Sequence, residues 1–405
     1  MTVMEIDVTM VSVLGESLVL NPVSDGARQK SPIRIACIAG EDDVVAVLGL
    51  LPPDSLSSAF QHTVWLERWF ATIGKAADAT PYLMLATCQN TGAFRFALPL
   101  VRWKRGGIVR LDAVDLGLAD YVAPIVAADF SPSRLEMNQL WQRMLAQLPA
   151  ADLLYLGKIP AEIAGHANPL VLVDSLHRHR QKAWGAYLGQ PPLDFTALGM
   201  PKKRSRELNN RWKRLAGMGE LTFRHMETAA EKDAAFATLV AQRSQRFAAL
   251  GRPNSLEKPE VRAFYRNLLD AYDGRNGAVL QTLTIDGEII AAGLGLVTPE
   301  AFLMIFPTIG RDEWKPYSPG LQHFRKSMEW ACDRGRAFYD FTLGSEAYKS
   351  DFGARPMDLF EIVEPLSVKG RAVAAKLAVE RFVHQRPKLV QFLRRLRKPF
   401  ATGGK

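Results

Sequence analysis

The sequence lacks most of the short motifs that mark common enzyme classes. Its 405 residues contain no GxGxxG, GxxxxGK[ST], HExxH, GxSxG or HxxxD motif. Each of these motifs supplies the residues that its chemistry needs. Dinucleotide-binding, P-loop, zinc-protease and serine-hydrolase functions are therefore excluded.

Cysteine is scarce as well. The three cysteines, Cys37, Cys88 and Cys332, lie far apart, are odd in number and form no CxxC pair. The sequence thus predicts neither a disulfide framework nor a zinc site, and we expect no bound metal. The one close pair of histidines, His177 and His179, is interpreted as surface or packing residues.

Long apolar runs are also missing. No stretch approaches the roughly 20 residues that a bilayer-spanning helix needs. No basic residue precedes Arg28, so we expect neither a signal peptide nor a transmembrane helix. The predicted location is the cytoplasm, with peripheral contact at the inner face of the membrane through the basic C-terminal residues.

The net positive charge of the chain comes from its C-terminal residues. The formal net charge is +9, but residues 369–405 hold eleven basic side chains against one acid, Glu380. The other 368 residues are nearly neutral, so we expect no nucleic-acid partner. Residues 370–405 also carry interleaved Phe and Leu, which predicts an amphipathic helix at an anionic membrane surface. A disordered solubilising tail is the alternative.

The length predicts two domains. We expect a flexible N-terminus (1–34), two α/β domains (35–195 and 196–368) and the basic tail (369–405). Both halves show the order strand, strand, strand, helix, strand, with hairpin turns between the strands.

The residues that mark helix starts and strand ends also repeat between the two halves. Ser131 and Ser318, each followed by proline, predict helix starts 187 residues apart, and Gly157 and Gly344 end the last strands at the same offset. The sequence therefore predicts two diverged copies of one unit. Chance agreement of common helix and strand ends is the alternative.

A candidate site follows the last strand of the second copy. Glu346, Tyr348 and Lys349 lie just after Gly344, and groups beyond the carboxyl end of a strand face the ligand crevice of α/β units. The first copy has Ile159, Ala161 and Glu162 at the matching positions. A polar turn with an internal Glu–Lys pair is the alternative interpretation.

A second candidate precedes the helix of that copy. Residues 308–322 join a strand to a helix N-terminus, where free N–H groups favour an anion. Gly320 lets the backbone approach such an anion, and Arg311 or Lys315 supplies charge. A plain Ser-Pro helix start is the alternative.

These segments resemble the GNAT-like acetyltransferases of the cellulose-biosynthesis type, the CelD/BcsL family. That family carries YSPGxxL followed by DFxxGxExYKxxFG. The matching residues here are Tyr317, Ser318, Pro319, Gly320, Asp340, Phe341, Gly344, Glu346, Tyr348, Lys349, Phe352 and Gly353. The resemblance covers about residues 35–365. It implies a tandem GNAT fold of the α/β (α+β) class, each domain a mixed sheet flanked by helices, related to the FemAB-like aminoacyl transferases.

The resemblance also implies an activity. An acetyl or other acyl group would move from acyl-CoA to an amine or hydroxyl of a small-molecule or saccharide acceptor, in connection with exopolysaccharide or cellulose production. Arg311, Tyr317, Ser318 and Gly320 would bind the acyl-CoA. The usual GNAT pyrophosphate loop, Q/RxxGxG/A, is absent from the sequence.

Acyl transfer needs a base, an oxyanion donor and an acid. We assign the base to Glu346, stabilisation of the oxyanion or of a phosphate to Lys349, and the acid to Tyr348. A buried, desolvated carboxylate would have a raised pKa that suits a base. Asp340 faces either the crevice or a structural partner.

The acceptor is expected beside Trp65, Asp120 and Tyr121, with Trp65 as a core residue being the alternative. A tRNA-dependent aminoacyl transferase is the rival enzyme. A non-catalytic scaffold of a polysaccharide synthase is the rival of another class.

Overall fold

The computed structural model describes residues 32–384 of the chain. The strands of this part are β1 (Ile33–Ala39), β2 (Thr80–Cys88), β3 (Phe94–Arg105), β4 (Ile108–Ala113), β5 (Ile125–Val126), β6 (Leu153–Pro160), β7 (Glu162–Ile163), β8 (His166–Ala167), β9 (Leu176–Tyr187), β10 (Leu221–His225), β11 (Gly277–Ile285), β12 (Glu288–Val297), β13 (Ala301–Ile309), β14 (Phe338–Leu343) and β15 (Arg355–Pro365).

The α-helices in the same part are α1 (Glu41–Gly49), α2 (Thr63–Trp69), α3 (Arg134–Leu145), α4 (Lys202–Ala216), α5 (Ala229–Ala249), α6 (Pro259–Asp270), α7 (Pro319–Asp333), α8 (Tyr348–Asp351) and α9 (Val368–His384). None of these helices has both the length and the apolar character that crossing a bilayer requires. The predicted N-terminal segment up to residue 31 and the tail beyond residue 384 lie outside the described residues.

The described residues divide into two units. Unit 1 comprises residues 32–57, 79–180 and 359–384, and unit 2 comprises residues 58–78 and 181–358. The expected boundaries treat each domain as one continuous segment, whereas in the structure α2 belongs to unit 2. The physical reason is packing, because the ring of Trp65 contacts that of Phe264 on α6 edge to face at 4.7 Å.

Unit 1 contains a mixed sheet of strand order β1-β2-β3-β4-β6-β15, with β5 beside β3. β4 and β6 pair in parallel, and the other neighbours are antiparallel. Alternate residues of β3, such as Leu98 and Leu100, pack against Leu140 and Met144 of α3. This face forms the core of the unit.

Helix α3 begins two residues later than expected. Its N-cap is Ser133, which forms a capping box with Glu136, so Ser131 and Pro132 precede the helix. With Ser133 as the cap, Glu136 stands three residues later and its carboxylate accepts from the Ser133 N–H. A cap at Ser131 would place Arg134 there, and arginine has no acceptor.

The strands of unit 2 have the order β9-β14-β13-β12-β11-β10. β13 and β14 are their parallel pair. Helix α7 contributes Phe324 and Met328 to a core with Phe302 and Tyr339. The basic helix α4 also belongs to this unit, as does α5, whose capping box pairs Thr228 with Glu231.

The repeated order is confirmed, with a corrected offset. β2-β3-β4-α3-β6 in unit 1 matches β11-β12-β13-α7-β14 in unit 2. The N-caps Ser133 and Ser318 are 185 residues apart. The last residues in the parallel pairings, Tyr155 and Asp340, are also 185 apart. The offset of 187 was wrong because Ser131 is not the cap.

Helix α9 packs on unit 1 through Gly370, where a side chain does not fit. A Cβ there would lie 1.7 Å from the carbonyl oxygen of Asp152. Alanine normally stabilises a helix by about 1 kcal/mol relative to glycine, but we expect Gly370→Ala to lower the free energy of unfolding by about 1 to 3 kcal/mol.

Urea denaturation tests this reversal of sign. Gly49→Ala is the matched control, because a Cβ at the end of α1 would meet nothing within 4 Å. The control should leave stability unchanged or raise it. Equal unfolding midpoints for the two variants would contradict the packing described for α9.

Candidate active site

The parallel strands β13 and β14 separate at their carboxyl ends. They pair only from Ala301 with Phe338 to Leu303 with Asp340. Beyond these residues β13 continues to Ile309, bonded to β12 on its other side. The two strands therefore diverge within the sheet of unit 2, at the end of β14 where the sequence predicts the catalytic residues.

The end of β14 adopts a strained backbone. Thr342 has φ of 54°, in the left-handed region that a β-branched residue rarely adopts. Its N–H donates to the Asp340 carboxylate at 2.7 Å, and its hydroxyl donates to the carbonyl of Met304 at 3.2 Å. Asp340 is buried. Of the two alternatives, the crevice and a structural partner, the structure shows contact with a structural partner, the main chain of Thr342.

Lys349, the second residue of α8, contacts the main chain of this turn. The side chain is 2% exposed. Its Nζ lies 3.1, 2.8 and 3.2 Å from the carbonyl oxygens of Phe341, Leu343 and Gly344. A lysine ammonium has three N–H donors, and in the structure they are surrounded by these carbonyl oxygens and the Glu346 carboxylate. The oxyanion role expected for Lys349 stays a prediction; in the structure its ammonium bonds the main chain of the turn, which is the geometry of a positioning residue.

Glu346 is the solvent-facing partner of Lys349. Its Oε2 lies 3.1 Å from Nζ, and its side chain is 55% exposed. The carboxylate folds over Gly344, where a Cβ would lie 2.5 Å from Oε2. The surroundings are not the desolvated ones expected from the sequence, because the residue extends outward from a turn. Its carboxylate is nevertheless accessible to a proton donor.

Tyr348 lies between the buried and exposed parts of the site. Its half-buried ring stacks on that of Phe324 with centroids 5.2 Å apart. Burial and then the negative charge of Glu346 raise the pKa of the phenol well above its usual value of about 10. Tyr348 is therefore neutral at physiological pH and carries a proton that it can donate.

Arg246 of α5 is a residue that the sequence interpretation missed. It is exposed. Its positive charge lowers the pKa of the Tyr348 phenol, against the larger effects of burial and Glu346, which raise it. One turn earlier, Arg243 packs over the rings of Phe247 and Phe306, 4.3 and 4.5 Å from their centroids. This contact holds the end of α5 against β13. The spacing of the two arginines on α5 is the signal in the sequence.

The start of α7 differs from a plain Ser-Pro helix start. Ser318 is left-handed, with φ of 55°, and its hydroxyl accepts a hydrogen bond from Arg211 of α4. Gly320 lies against Ile309, because a Cβ would approach that side chain to 2.9 Å. Tyr317 is partly buried and packs against the apolar cluster that includes Leu215 of α4. The close approach at Gly320 is thus between helix and strand.

The cations expected to assist anion binding are already paired. The Arg311 guanidinium contacts both carboxylate oxygens of Glu288, at 3.0 and 2.6 Å, and also pairs with Glu313. Lys315 pairs with Asp312 at 2.7 Å. The cation that the structure places at the start of α7 is Arg211, so acyl-CoA binding by Arg311 remains a prediction without geometric support.

The residues expected to contact the acceptor are mostly buried. Trp65 is 1% exposed and packs in unit 2 between Phe60 and Phe264. It is therefore a core residue and is corrected as such. Tyr121 is buried and Asp120 half-buried, both in unit 1. Their roles toward an acceptor remain predictions.

His323 of α7 is a buried histidine next to the core of the site. Its Nε2 lies 3.2 Å from the carbonyl oxygen of Gln281. Burial lowers its pKa to about 4. Because the folded value lies below the unfolded one, its contribution to stability is fully present above pH 6.5 and falls as the pH drops toward 4.

We expect this histidine to account for about 2 kcal/mol of stability lost between pH 7.5 and 5. His323→Gln keeps an N–H donor but does not titrate, so its loss over this range should be smaller by that amount. Urea denaturation at both pH values measures the difference, with the exposed His166→Gln as control. An unchanged pH dependence in His323→Gln would contradict the assignment.

Within residues 32–384 no group of three or more His, Cys, Asp or Glu side chains is arranged to hold a metal ion.

Part of the chain matches a known domain family. Residues 202–350, from α4 into α8, match the model of the acetyltransferase (GNAT) domain family. No curated protein matches the sequence. The chain is similar to the crystal structure of FemX, at 12% identity over 81% of this chain and 96% of that one, with a TM-score of 0.53.

Two further solved structures are similar. One is the C-terminal DUF2156 domain of a putative lysylphosphatidylglycerol synthetase from Agrobacterium fabrum, at 12% identity over 84% and 97% of the two chains, with a TM-score of 0.51. The other is a tandem GNAT protein from the clavulanic acid biosynthesis pathway, at 14% identity over 82% and 99%, with a TM-score of 0.44.

Such low identities show the fold alone. The predicted α/β fold class is confirmed, and the chain has a GNAT-like acyltransferase fold whose segment 202–350 matches the acetyltransferase (GNAT) domain.

Proposed function

We propose that unit 2 transfers an acyl group from an acyl-CoA to an amine or hydroxyl of a small-molecule or saccharide acceptor. The observation that carries this proposal is the divergence of β13 and β14 directly before Tyr348. Ligands of α/β proteins bind at the carboxyl ends of strands, and this divergence lies in the segment that matches the GNAT domain.

The residues present fit an acyl-CoA. Where β13 no longer pairs with β14, its edge offers main-chain groups to an extended chain bearing amides, such as the pantetheine arm. The start of α7, with Arg211 beside Ser318, suits the phosphates. Both features belong to unit 2.

The groups at the end of β14 suit the proton transfers of the reaction. The Glu346 carboxylate accepts the proton of the attacking amine or hydroxyl, directly or through water. A C–N or C–O bond forms, the carbon–sulfur bond breaks, and the neutral Tyr348 phenol gives its proton to the leaving thiolate. Lys349 keeps both side chains in place through its bonds to the turn.

Aminoacyl transfer from charged tRNA is the second candidate. The similarity to FemX and to a putative lysylphosphatidylglycerol synthetase favours it, because the second protein is named for a product that carries a lysyl group. Both candidates use an activated acyl group and the same proton chemistry. They differ in the donor.

Ligand-dependent thermal stability separates the candidates. We expect acetyl-CoA or a longer acyl-CoA to stabilise the protein, by about 2.7 kcal/mol at a hundred times its Kd. Release of free CoA thiol with a panel of amines, alcohols and saccharides then identifies the acceptor class. If charged tRNA stabilises the protein and no acyl-CoA does, the second candidate replaces the first. No stabilisation by either donor would support a scaffold.

The resemblance to the CelD/BcsL family remains the only support for a role in exopolysaccharide or cellulose production. Saccharide acceptors in the panel test that role. A cytoplasmic location rests on the sequence alone.

A further inference from the structure

Helix α9 presents an apolar stripe to solvent. Its members are spaced four and three residues apart, which places them on one face; they are Val368, Ala372, Ala375, Val379 and Phe382, all exposed. Val368 is 80% exposed, Val379 62% and Phe382 52%. Three of the large exposed hydrophobic residues of the described chain thus lie on one helix.

The opposite side of α9 is fixed to unit 1, so the stripe cannot turn inward. Gly370 lies directly against the main chain at Asp152. The Arg381 guanidinium pairs with the buried Glu361 at 3.0 Å. Both contacts lie on the face opposite the stripe by helical periodicity.

Cations flank the stripe. Lys369 and Lys376 lie on one side of it and Arg371 on the other, by their positions on the helix. Glu380, the one acidic residue of α9, lies on the side of the lysines, and all four are exposed. The chain that continues beyond the described residues, 385–405, contains seven basic residues and no acidic one. An apolar face bordered by cations is the pattern of a helix that lies in a membrane interface.

We propose that this face of α9 binds an anionic membrane surface, with the helix parallel to the bilayer. The apolar side chains enter the interface, and the cations meet anionic headgroups. A second copy of the chain is a poorer partner for this face, because its identical cations would repel. RNA would meet the cations but would leave the apolar stripe in water.

Vesicle flotation of the full chain tests the proposal. Vesicles of phosphatidylcholine with phosphatidylglycerol are compared with phosphatidylcholine alone. The wild type should float with the anionic vesicles only, and high salt should weaken this. The double variant Val379→Glu, Phe382→Glu should bind about tenfold more weakly or not at all. Leu135→Glu on α3, a position 68% exposed, is the matched control and should bind as the wild type does.

Three outcomes would overturn the proposal. In the first, the double variant binds vesicles as well as the wild type does, which would mean that the charge of the tail alone suffices. In the second, the wild type proves to be a dimer that the double variant separates, which would mean that the stripe contacts a second copy. In the third, the protein binds RNA and not anionic vesicles. Because all substituted side chains are exposed, circular dichroism should confirm that each variant is folded.

Discussion

Replacing Tyr348 with phenylalanine should lower kcat about 100- to 1000-fold, with little change in stability. The substitution removes the hydroxyl that protonates the leaving thiolate but keeps the ring that stacks on Phe324. Without an acid, the thiolate must leave as an anion or take its proton from water. Release of CoA thiol from acetyl-CoA, in the presence of the acceptor identified by the panel, measures the effect.

The control distinguishes the lost proton from disturbed packing. Tyr272→Phe removes a hydroxyl that bonds the carbonyl of Gly274 at 3.2 Å in an exposed turn, and it should leave kcat unchanged. Because burial and Glu346 raise the pKa of Tyr348, the wild type should lose no activity through its ionisation up to about pH 10. Equal kcat for Tyr348→Phe and the wild type would exclude Tyr348 as the acid.

Local patterns in the sequence are sufficient to predict the hairpins and most helices. The turn at residues 104–107 ends in two glycines with positive φ, and such a pair predicts a tight hairpin. The capping box of α5 marks its start in the same way. These features depend on neighbouring residues only, so a single sequence contains them.

Unit membership depends on contacts that are distant in the chain. The amphipathic pattern of α2 predicts a packing helix but not its partner, Phe264, which lies about 200 residues later. β15 is likewise divided between the units, since residues up to 358 belong to unit 2 and those from 359 to unit 1. No local pattern specifies such long-range pairings.

The sequence predicts where a polar cluster lies in unit 2 but not how its side chains are oriented. The order of residues after Gly344 predicts a polar cluster at the end of a strand, which the structure shows. It does not predict that Thr342 adopts a left-handed conformation, and that conformation turns the carbonyls toward Lys349. The orientation of a side chain depends on such backbone detail, so the sequence does not predict the contacts between Lys349 and the carbonyls of the turn.

Lys349→Met should destabilise unit 2 and abolish most activity together. The substitution keeps the length of the side chain but leaves the carbonyls of Phe341, Leu343 and Gly344 without their buried donor. We expect the free energy of unfolding to fall by about 3 kcal/mol or more. The turn would then relax, Tyr348 would lose its position, and kcat should fall at least about 100-fold.

The joint effect separates positioning from direct catalysis. An oxyanion donor would lower kcat and leave the unfolding midpoint unchanged, whereas a positioning residue changes both. If Lys349→Met does not fold, Lys349→Arg keeps the charge with a planar fork that matches the carbonyls less well and should lie between it and the wild type. The control is Lys182→Met, whose half-exposed pair with Asp358 at 3.2 Å contributes at most about 1 kcal/mol. Reduced turnover of Lys349→Met at wild-type stability would return this lysine to the reacting groups.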